Sequence, residues 1–354
     1  MRDVDAPTVD HPPEPTGSSR RSHLVIGASG FLGSHVVRQL VEQGEQVRVL
    51  VRATSSTQGI DGLPVERHVG DVHDAESVRR AMAGVDVVHH CVVDARPWLR
   101  DPAPLYRTNV EGLRTVLDVA ADHDLHRFVH TSSIGTLPIA DRATGAGPVT
   151  EQSGPHNWLE RGGDYIRSRV QGEDLALSYA AGGRVPVVSM CVANTYGSGD
   201  FLPTPHGGFV KLAARGRQSW YVRGVGAEAV GVRDAARALV LAGERGAVGE
   251  RYIVSERHLS MRDVLDTAAD AAGVARPRTG IPVGVLAAGG FVGEQVARIL
   301  RRDIRLTRTS IRLMHVMTPL DHGKATRELG WEPAPVHDAI REAAAFFTQR
   351  KRNQ

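Results

Sequence analysis

One short stretch, 23–44, limits what this chain can become more than any other. An apolar run, HLVI, leads into Gly27-Ala28-Ser29-Gly30-Phe31-Leu32-Gly33, and an amphipathic pattern over 31–43 follows. That order predicts a strand, a tight turn and a helix. Gly27 permits the turn, Gly30 lets the main chain approach a pyrophosphate, and Gly33 brings helix against strand. The helix N-terminus adds N–H groups without intrahelical partners, which favour anions. The spacing is GxxGxxG rather than GxGxxG, and it is the strand–helix context that raises the triplet above a plain tight turn. Gly27, Ser29, Gly30, Phe31, Leu32 and Gly33 are therefore expected to hold the pyrophosphate of a nicotinamide dinucleotide.

The rest of the chain repeats this rhythm. Strand-like runs lie at 23–27, 46–52, 65–71, 86–93, 127–133 and 185–194, with helical patterns at 31–43, 74–83, 104–123 and 164–181. Short apolar runs alternating with longer amphipathic ones indicate βαβ units on a parallel sheet. The expected fold is α/β, a Rossmann-type doubly wound parallel sheet over 23–194. After Asn194 the rhythm breaks into a Gly- and Pro-rich loop. A helix near 209–215 follows, then a strand-like pair at 219–222 and 251–254 bracketing a helix that Asp234 would cap. Further helices are expected near 260–272, 283–302, 321–329 and 335–348. The stretch 227–254 is expected to return to the main sheet. Residues 195–226 and 255–348 form a smaller C-terminal lobe that supplies substrate contacts, and 349–354 a tail.

Composition narrows the function classes. The 354 residues are 41% hydrophobic and 23% charged, with a formal net charge of +3, as in an ordinary soluble globular protein. So small a charge gives no nucleic-acid surface. Cys91 and Cys191 each lie in an apolar run, which suits buried thiols in a reducing cytoplasm, and no His/Cys cluster suggests a metal. Residues 1–22 read as a disordered leader without the apolar core of a signal peptide. The apolar stretch 281–293 is interrupted by glycine and too short to span a bilayer. Of the 43 basic residues only Lys211, Lys324 and Lys351 are lysine. The arginines from Arg298 to Arg312 suit an anionic lipid or ligand, or simply a solvated face.

Several residues point to cofactor and catalysis. The second strand ends at Val51-Arg52, where NAD-selective sites place an acid. The planar fork of Arg52 suits a 2′-phosphate, which favours NADP over NAD; in so Arg-rich a chain it is otherwise a surface arginine. Asp71-Val72 is placed to meet the adenine, or Asp71 caps the next helix. Thr131-Ser132-Ser133 ends the fifth strand, at the carboxyl edge where such sheets bind ligands. Tyr165 and Arg169, spaced i,i+4, share a helix face. A serine hydroxyl can orient a carbonyl or alcohol, and a tyrosine can pass its proton if a cation lowers its pKa from about 10. His89-His90 fall on opposite strand faces, which suits packing rather than catalysis.

These motifs carry a resemblance. GASGFLG, VRVLVRATS, VGDVHDAESVRRAMAGVDVV, LYRTNVEGLRTVL, RFVHTSSIGTL, YIRSRVQGEDLAL and ELGWEP resemble the extended (atypical) short-chain dehydrogenases/reductases of the NAD-dependent epimerase/dehydratase type, from about residue 23 to 348. WLRDPAPLYRTNVEG and FLPTPHGGFVKLAARG are similar to hopanoid-associated sugar epimerases, with further similarity to dihydroflavonol reductases and 3β-hydroxysteroid dehydrogenases. The resemblance implies Ser133 as the catalytic serine, with Ser132 its neighbouring candidate, and Tyr165 as the general acid/base. Asn109 would support the cofactor pocket, and Arg169 would stand where the family has lysine, binding the nicotinamide ribose and tuning Tyr165. Arg169 keeps the charge but not an ammonium's proton chemistry. Val92-Val93 replace small residues, and Val192 replaces a proline, so all three departures cluster about the nicotinamide.

The expected activity is an NADP-preferring interconversion of a ketone and a secondary alcohol on a moderately hydrophobic small molecule. Trp98, Trp158, Phe201, His206 and Trp220 are candidate substrate contacts, and a homodimer is compatible with the pattern. The alternatives are a sugar-nucleotide epimerase with retained NAD, or a dinucleotide-sensing protein with altered or lost redox chemistry.

Overall fold

The computed structural model describes residues 20–140, 147–300, 302–305, 307–313 and 318–352. The expected leader falls mostly outside them. The chain begins with β1 (Ser22–Ile26), α1 (Phe31–Glu42), β2 (Gln46–Val51), β3 (Glu66–Val69), α2 (Ala75–Met82) and β4 (Val87–His90). It continues through α3 (Ala103–Tyr106), a π-helical turn (Arg107–Gly112), α4 (Leu113–Ala120), β5 (Arg127–Ser133), a 3-10 turn (Ile134–Thr136), α5 (Leu159–Ala181) and β6 (Val187–Val192). The remainder comprises β7 (Asn194–Tyr196), α6 (Pro205–Ala214), β8 (Trp220–Val222), β9 (Gly226–Gly231), α7 (Val232–Arg245), β10 (Arg251–Val254), β11 (Arg257–Ser260) and α8 (Met261–Ala271). Last come β12 (Thr279–Ile281), α9 (Val283–Leu300), α10 (Arg308–Leu313), α11 (Gly323–Leu329) and α12 (Val336–Arg352).

Seven strands form one parallel sheet in the order β10-β6-β5-β4-β1-β2-β3. Strand order reverses between β1 and β4, so the crevice for a ligand opens beyond the ends of those two strands. Each face of the sheet has its own core. Val25, Val36, Val49, Val129 and Leu239 belong to one, and Leu24, Leu50, Val88, Leu117 and Phe128 to the other. Successive residues of each strand thus serve opposite faces. A third core, with Val210, Leu265, Ile340 and Phe347, fills the lobe.

The histidines of β4 follow that alternation and both are buried. His89 stacks on His23, with Nε2 3.2 Å from His23 Nδ1, while His90 stacks between Phe128 and His130.

Several expectations need correction. Only β10 returns from 227–254 as a strand of the main sheet; β9 lies between β7 and β11 in a separate three-stranded sheet. In that sheet the buried Glu228 carboxylate accepts from Ser255 Oγ, just after β10, and from Leu320 N at 3.1 Å. Strand β8 pairs with β12 in a separate two-stranded sheet. Asp234 does not cap α7: Gly231 holds that position, and Asp234 sits in the first turn. The helix at 283 ends at Leu300, near the expected 302. The apolar stretch expected to end at Gly293, too short to span a bilayer, continues with it, and among the described residues this helix is the one long and apolar enough, by length and composition, to cross a membrane. The final helix also extends through the expected tail to Arg352.

Candidate active site

The glycine turn has one closed side and one open side. Gly27 adopts φ +89°, a conformation that favours glycine, and a Cβ there would lie 2.8 Å from the Cys91 carbonyl carbon of β4's end. A Cβ on Gly33 would strike the Gly27 carbonyl oxygen. Gly30 is different: its φ is −78°, and a Cβ would meet only that same carbonyl oxygen, at 3.2 Å. No side chain caps α1, and no acid occupies its first turn, so its leading N–H groups stay free for an anion. Ser29 is half-buried in the turn, Phe31 packs edge-on against His35 at 5.6 Å, and Leu32 packs on the core. These residues fit a dinucleotide pyrophosphate.

At the outer end of the crevice, Arg52 follows β2 and is exposed, and its guanidinium has no hydrogen bond or ion pair among the described residues. Asp71 Oδ1 accepts from His73 N at 3.0 Å, whereas Asp74 caps α2. Asp71 therefore closes a turn and is not the helix cap. Val72 packs against the π-helical turn, where a Cβ on Gly112 would come within 2.9 Å of it.

The other end is built by β5 and α5. The Ser132 side chain is buried, 3.5 Å from Thr136 Oγ1, while Ser133 is half-buried and its Oγ accepts from Gly135 N at 3.1 Å. Strand alternation thus separates the two candidate serines. Gly163, at φ +67°, interrupts α5, so the regular helix starts at Asp164, where the sequence pattern placed it. Tyr165 lies half-buried in that first turn.

One turn later Arg169 is only 4% exposed, and its Nη2 donates to the Thr131 carbonyl oxygen at 2.7 Å. Its Nε is buried without a partner, and no carboxylate pairs with it among the described residues. An unshared donor on a buried cation at the strand ends suits a ribose hydroxyl, as the cofactor would offer. Burial drives His90 down to about 3 and keeps His130 well below its ordinary value, and the nearby Arg169 cation adds to both shifts, for His130 after neighbouring His90.

Asn109 is a hub. Its Oδ1 accepts from Asp94 N at 2.8 Å, and its Nδ2 donates to Asp94 O at 3.1 Å and Ser168 Oγ at 3.0 Å. Ser168 Oγ in turn donates to the Tyr165 carbonyl at 2.8 Å. The loop after β4 and the turn bearing Tyr165 are thereby locked together. Sequence reasoning did not single out Ser168, Asp94 or the Thr131 carbonyl. Ser168, three residues after Tyr165 on the same helix, carried a spacing signal; backbone groups carry none. Among the valines of those departures, Val92 is half-buried, Val93 is exposed and Val192 is buried.

The five candidate substrate residues do not converge. Trp158 is buried near the turn after Ser133, its Nε1 donating to Leu137 O at 2.9 Å. Trp98 lies under the Arg305 guanidinium, 5.3 Å from its ring centre. Phe201 packs against Phe346 and Arg350 beside a second hollow that Lys211 and Arg215 also line. His206, pushed down to about 4 by burial, bonds Thr195 O at 2.8 Å, and Trp220 belongs to β8.

The pattern of the NAD dependent epimerase/dehydratase family matches residues 23–255. Sterol demethylase protein B of Methylococcus capsulatus is 33% identical over 92% of this chain and 98% of its own. A 4-hydroxy-2-methyl-3-oxo-4-farnesyl-3,4-dihydroquinoline-1-oxide ketoreductase of Stigmatella aurantiaca is 29% identical over 90% of this chain and 96% of its own. The crystal structure of gox2253 superposes with a TM-score of 0.81 at 31% identity, covering 94% of this chain and 99% of that one. With the doubly wound sheet and its glycine turn, these likenesses make the chain a member of the NAD-dependent epimerase/dehydratase family, an enzyme of the extended NAD(P)-dependent short-chain dehydrogenase/reductase type.

Proposed function

We propose that the chain is an NADP-preferring oxidoreductase that interconverts a ketone and a secondary alcohol on a moderately hydrophobic small molecule. The observation carrying this reading is the position of Ser133 at the end of β5, Tyr165 in the first regular turn of α5 and buried Arg169 one turn later, all at the carboxyl edge of the sheet. The segment that follows Ser133 is apolar, but the gap among Ile134, Leu137, Pro138, Ile139, Trp158, Thr318 and Leu320 is only about 10 Å³ and holds no substrate itself. The relatives named for a sterol and for a farnesylated quinoline agree in substrate class.

The glycine turn and the start of α1 would hold the pyrophosphate, Arg52 the 2′-phosphate, and Arg169 the nicotinamide ribose. When bound there, the nicotinamide would supply hydride chemistry at the substrate carbon. Ser133 Oγ donates a hydrogen bond to the reacting oxygen. In reduction Tyr165 Oη passes its proton to that oxygen, and in oxidation it takes one back. Asn109 and Ser168 position the turn that carries Tyr165.

The test is NADPH-dependent reduction across a panel of cyclic and isoprenoid ketones. Tyr165→Phe should lower turnover by at least about 100-fold. Unchanged turnover overturns the mechanism, and NAD retained through purification would favour epimerisation instead.

A further inference from the structure

Helix α9 is anchored along one side and bare along the other. Val283 and Leu286 pack on the lobe core, and Gly290 lies so close to α10 that a Cβ would stand 2.6 Å from Ile311 Cδ1. Of its 18 residues only Gly290 and Ala297 are buried. The outward stripe is Val285, Ala288, Val292, Val296 and Ile299, spaced three or four residues apart, with Leu300 at its end. Val285 is 62% exposed, Val292 59% and Ile299 79%. A continuous exposed apolar stripe marks an interaction surface.

Charge indicates what covers it. Between 283 and 313 the sequence has six arginines (298, 301, 302, 305, 308 and 312) against Glu294 and Asp303. Both acids are engaged: Glu294 Oε2 pairs with Arg308 Nε at 2.9 Å, and Asp303 accepts from Arg100 N at 3.1 Å. Arg298, Arg302 and Arg312 are exposed at the helix end and beyond. Arginine forks suit phosphate oxygens, and an apolar helix face edged by arginine suits an anionic leaflet.

The surface is also continuous with the catalytic crevice. Arg305 covers Trp98, and Asp303 holds the Arg100 backbone in the loop after β4. A Cβ on Gly163, two residues before Tyr165, would lie 3.2 Å from Thr309 of α10.

We propose that α9 lies in the interface of an anionic bilayer, its apolar stripe among the acyl chains and its arginines on lipid phosphates, with the crevice facing the membrane. The helix lies on the membrane and does not cross it, because its opposite side holds α10 and the lobe core. Docking here is independent of turnover and stands or falls separately from the catalytic reading.

The experiment is flotation of the full chain with vesicles of equal phosphatidylcholine and phosphatidylglycerol, or of phosphatidylcholine alone. The chain should bind the anionic vesicles at least tenfold more tightly, and 0.5 M salt should weaken that binding severalfold. The double variants Val292→Asp/Ile299→Asp and Arg298→Glu/Arg302→Glu should each lose at least tenfold, with unchanged thermal melting. A Val292→Trp variant should shift its emission to the blue on anionic vesicles only, which reads the docked face without a disruptive change. Failure of the native chain to bind anionic vesicles overturns the proposal, as does binding that survives both double variants. Loss of self-association in Val292→Asp/Ile299→Asp, with no vesicle binding by the native chain, would assign the stripe to a second copy instead.

Discussion

Arg169 of α5 reaches across to the end of β5 and donates from Nη2 to the carbonyl oxygen of Thr131 at 2.7 Å. The bond fixes a buried cation, yet its Nε finds no partner and no carboxylate balances the charge among the described residues. Burying an unpaired charge costs several kcal/mol, whereas one hydrogen bond returns about 1 kcal/mol. Arg169 is thus held at a cost to stability, as ligand-binding groups often are. Arg169→Met should therefore stabilise the cofactor-free protein by about 1–2 kcal/mol while lowering NADPH affinity at least tenfold. Thermal unfolding without cofactor and a fluorescence titration check the two halves. A lower melting temperature would show that the arginine is structural.

The glycine turn makes a sharper distinction than its motif does. A methyl at Gly30 adds one contact, to the Gly27 carbonyl oxygen at 3.2 Å, whereas at Gly33 it runs into that backbone atom directly. Gly30→Ala should keep stability within about 1 kcal/mol and lose at least tenfold in dinucleotide affinity, since the methyl fills the pyrophosphate's approach. Gly33→Ala should cost on the order of 3 kcal/mol, because strand and helix must part. Denaturant melts and cofactor titration on the pair separate the roles; equal stability losses would contradict them.

The proposed NADP preference rests on Arg52, exposed and unengaged just after β2 among the described residues. Arg52→Ala should weaken NADPH binding by roughly tenfold or more, the worth of a charge-assisted phosphate contact, and leave NADH within about threefold. Dissociation constants for both cofactors at low salt give the answer. Equal losses would remove the phosphate contact from the account.

The βαβ rhythm was legible because short continuous apolar runs, buried on both faces of the sheet, and longer amphipathic stretches record burial directly. Six strands of the main sheet could be placed from it, and even the break at Gly163 left the helix start at Asp164 as expected. The lobe was harder. Its strands span three to six residues, and β9 (GAEAVG) buries Glu228 on polar partners, which no hydrophobic period records. The same limit applied at the site. Side chains such as Tyr165 announce themselves, but the Thr131 carbonyl that anchors Arg169 is a backbone atom. The Asn109–Asp94 pair joins segments 15 residues apart, and nothing in residue type predicts it.

Four histidines buried in the central sheet give the fold an acid limit. Burial lowers His23 to about 4 and His90 to about 3, and it keeps His89 and His130 well below their ordinary value. In the unfolded chain each titrates near 6.5, so below that pH the unfolded state binds protons that the folded state refuses. Stability is full above about 6.5 and falls as pH drops toward the folded values, by up to about 1.4 kcal/mol per pH unit for each histidine. Glu228 and Asp200, raised by burial, act in the opposite sense at lower pH. Urea melts at pH 7.5, 6.0 and 5.0 should show a steep loss between the last two. Neither ring nitrogen of His90 has a partner, so His90→Leu should be nearly neutral at pH 7.5 and shallow the slope by close to one proton. An unaltered slope in that variant would place the acid sensitivity elsewhere.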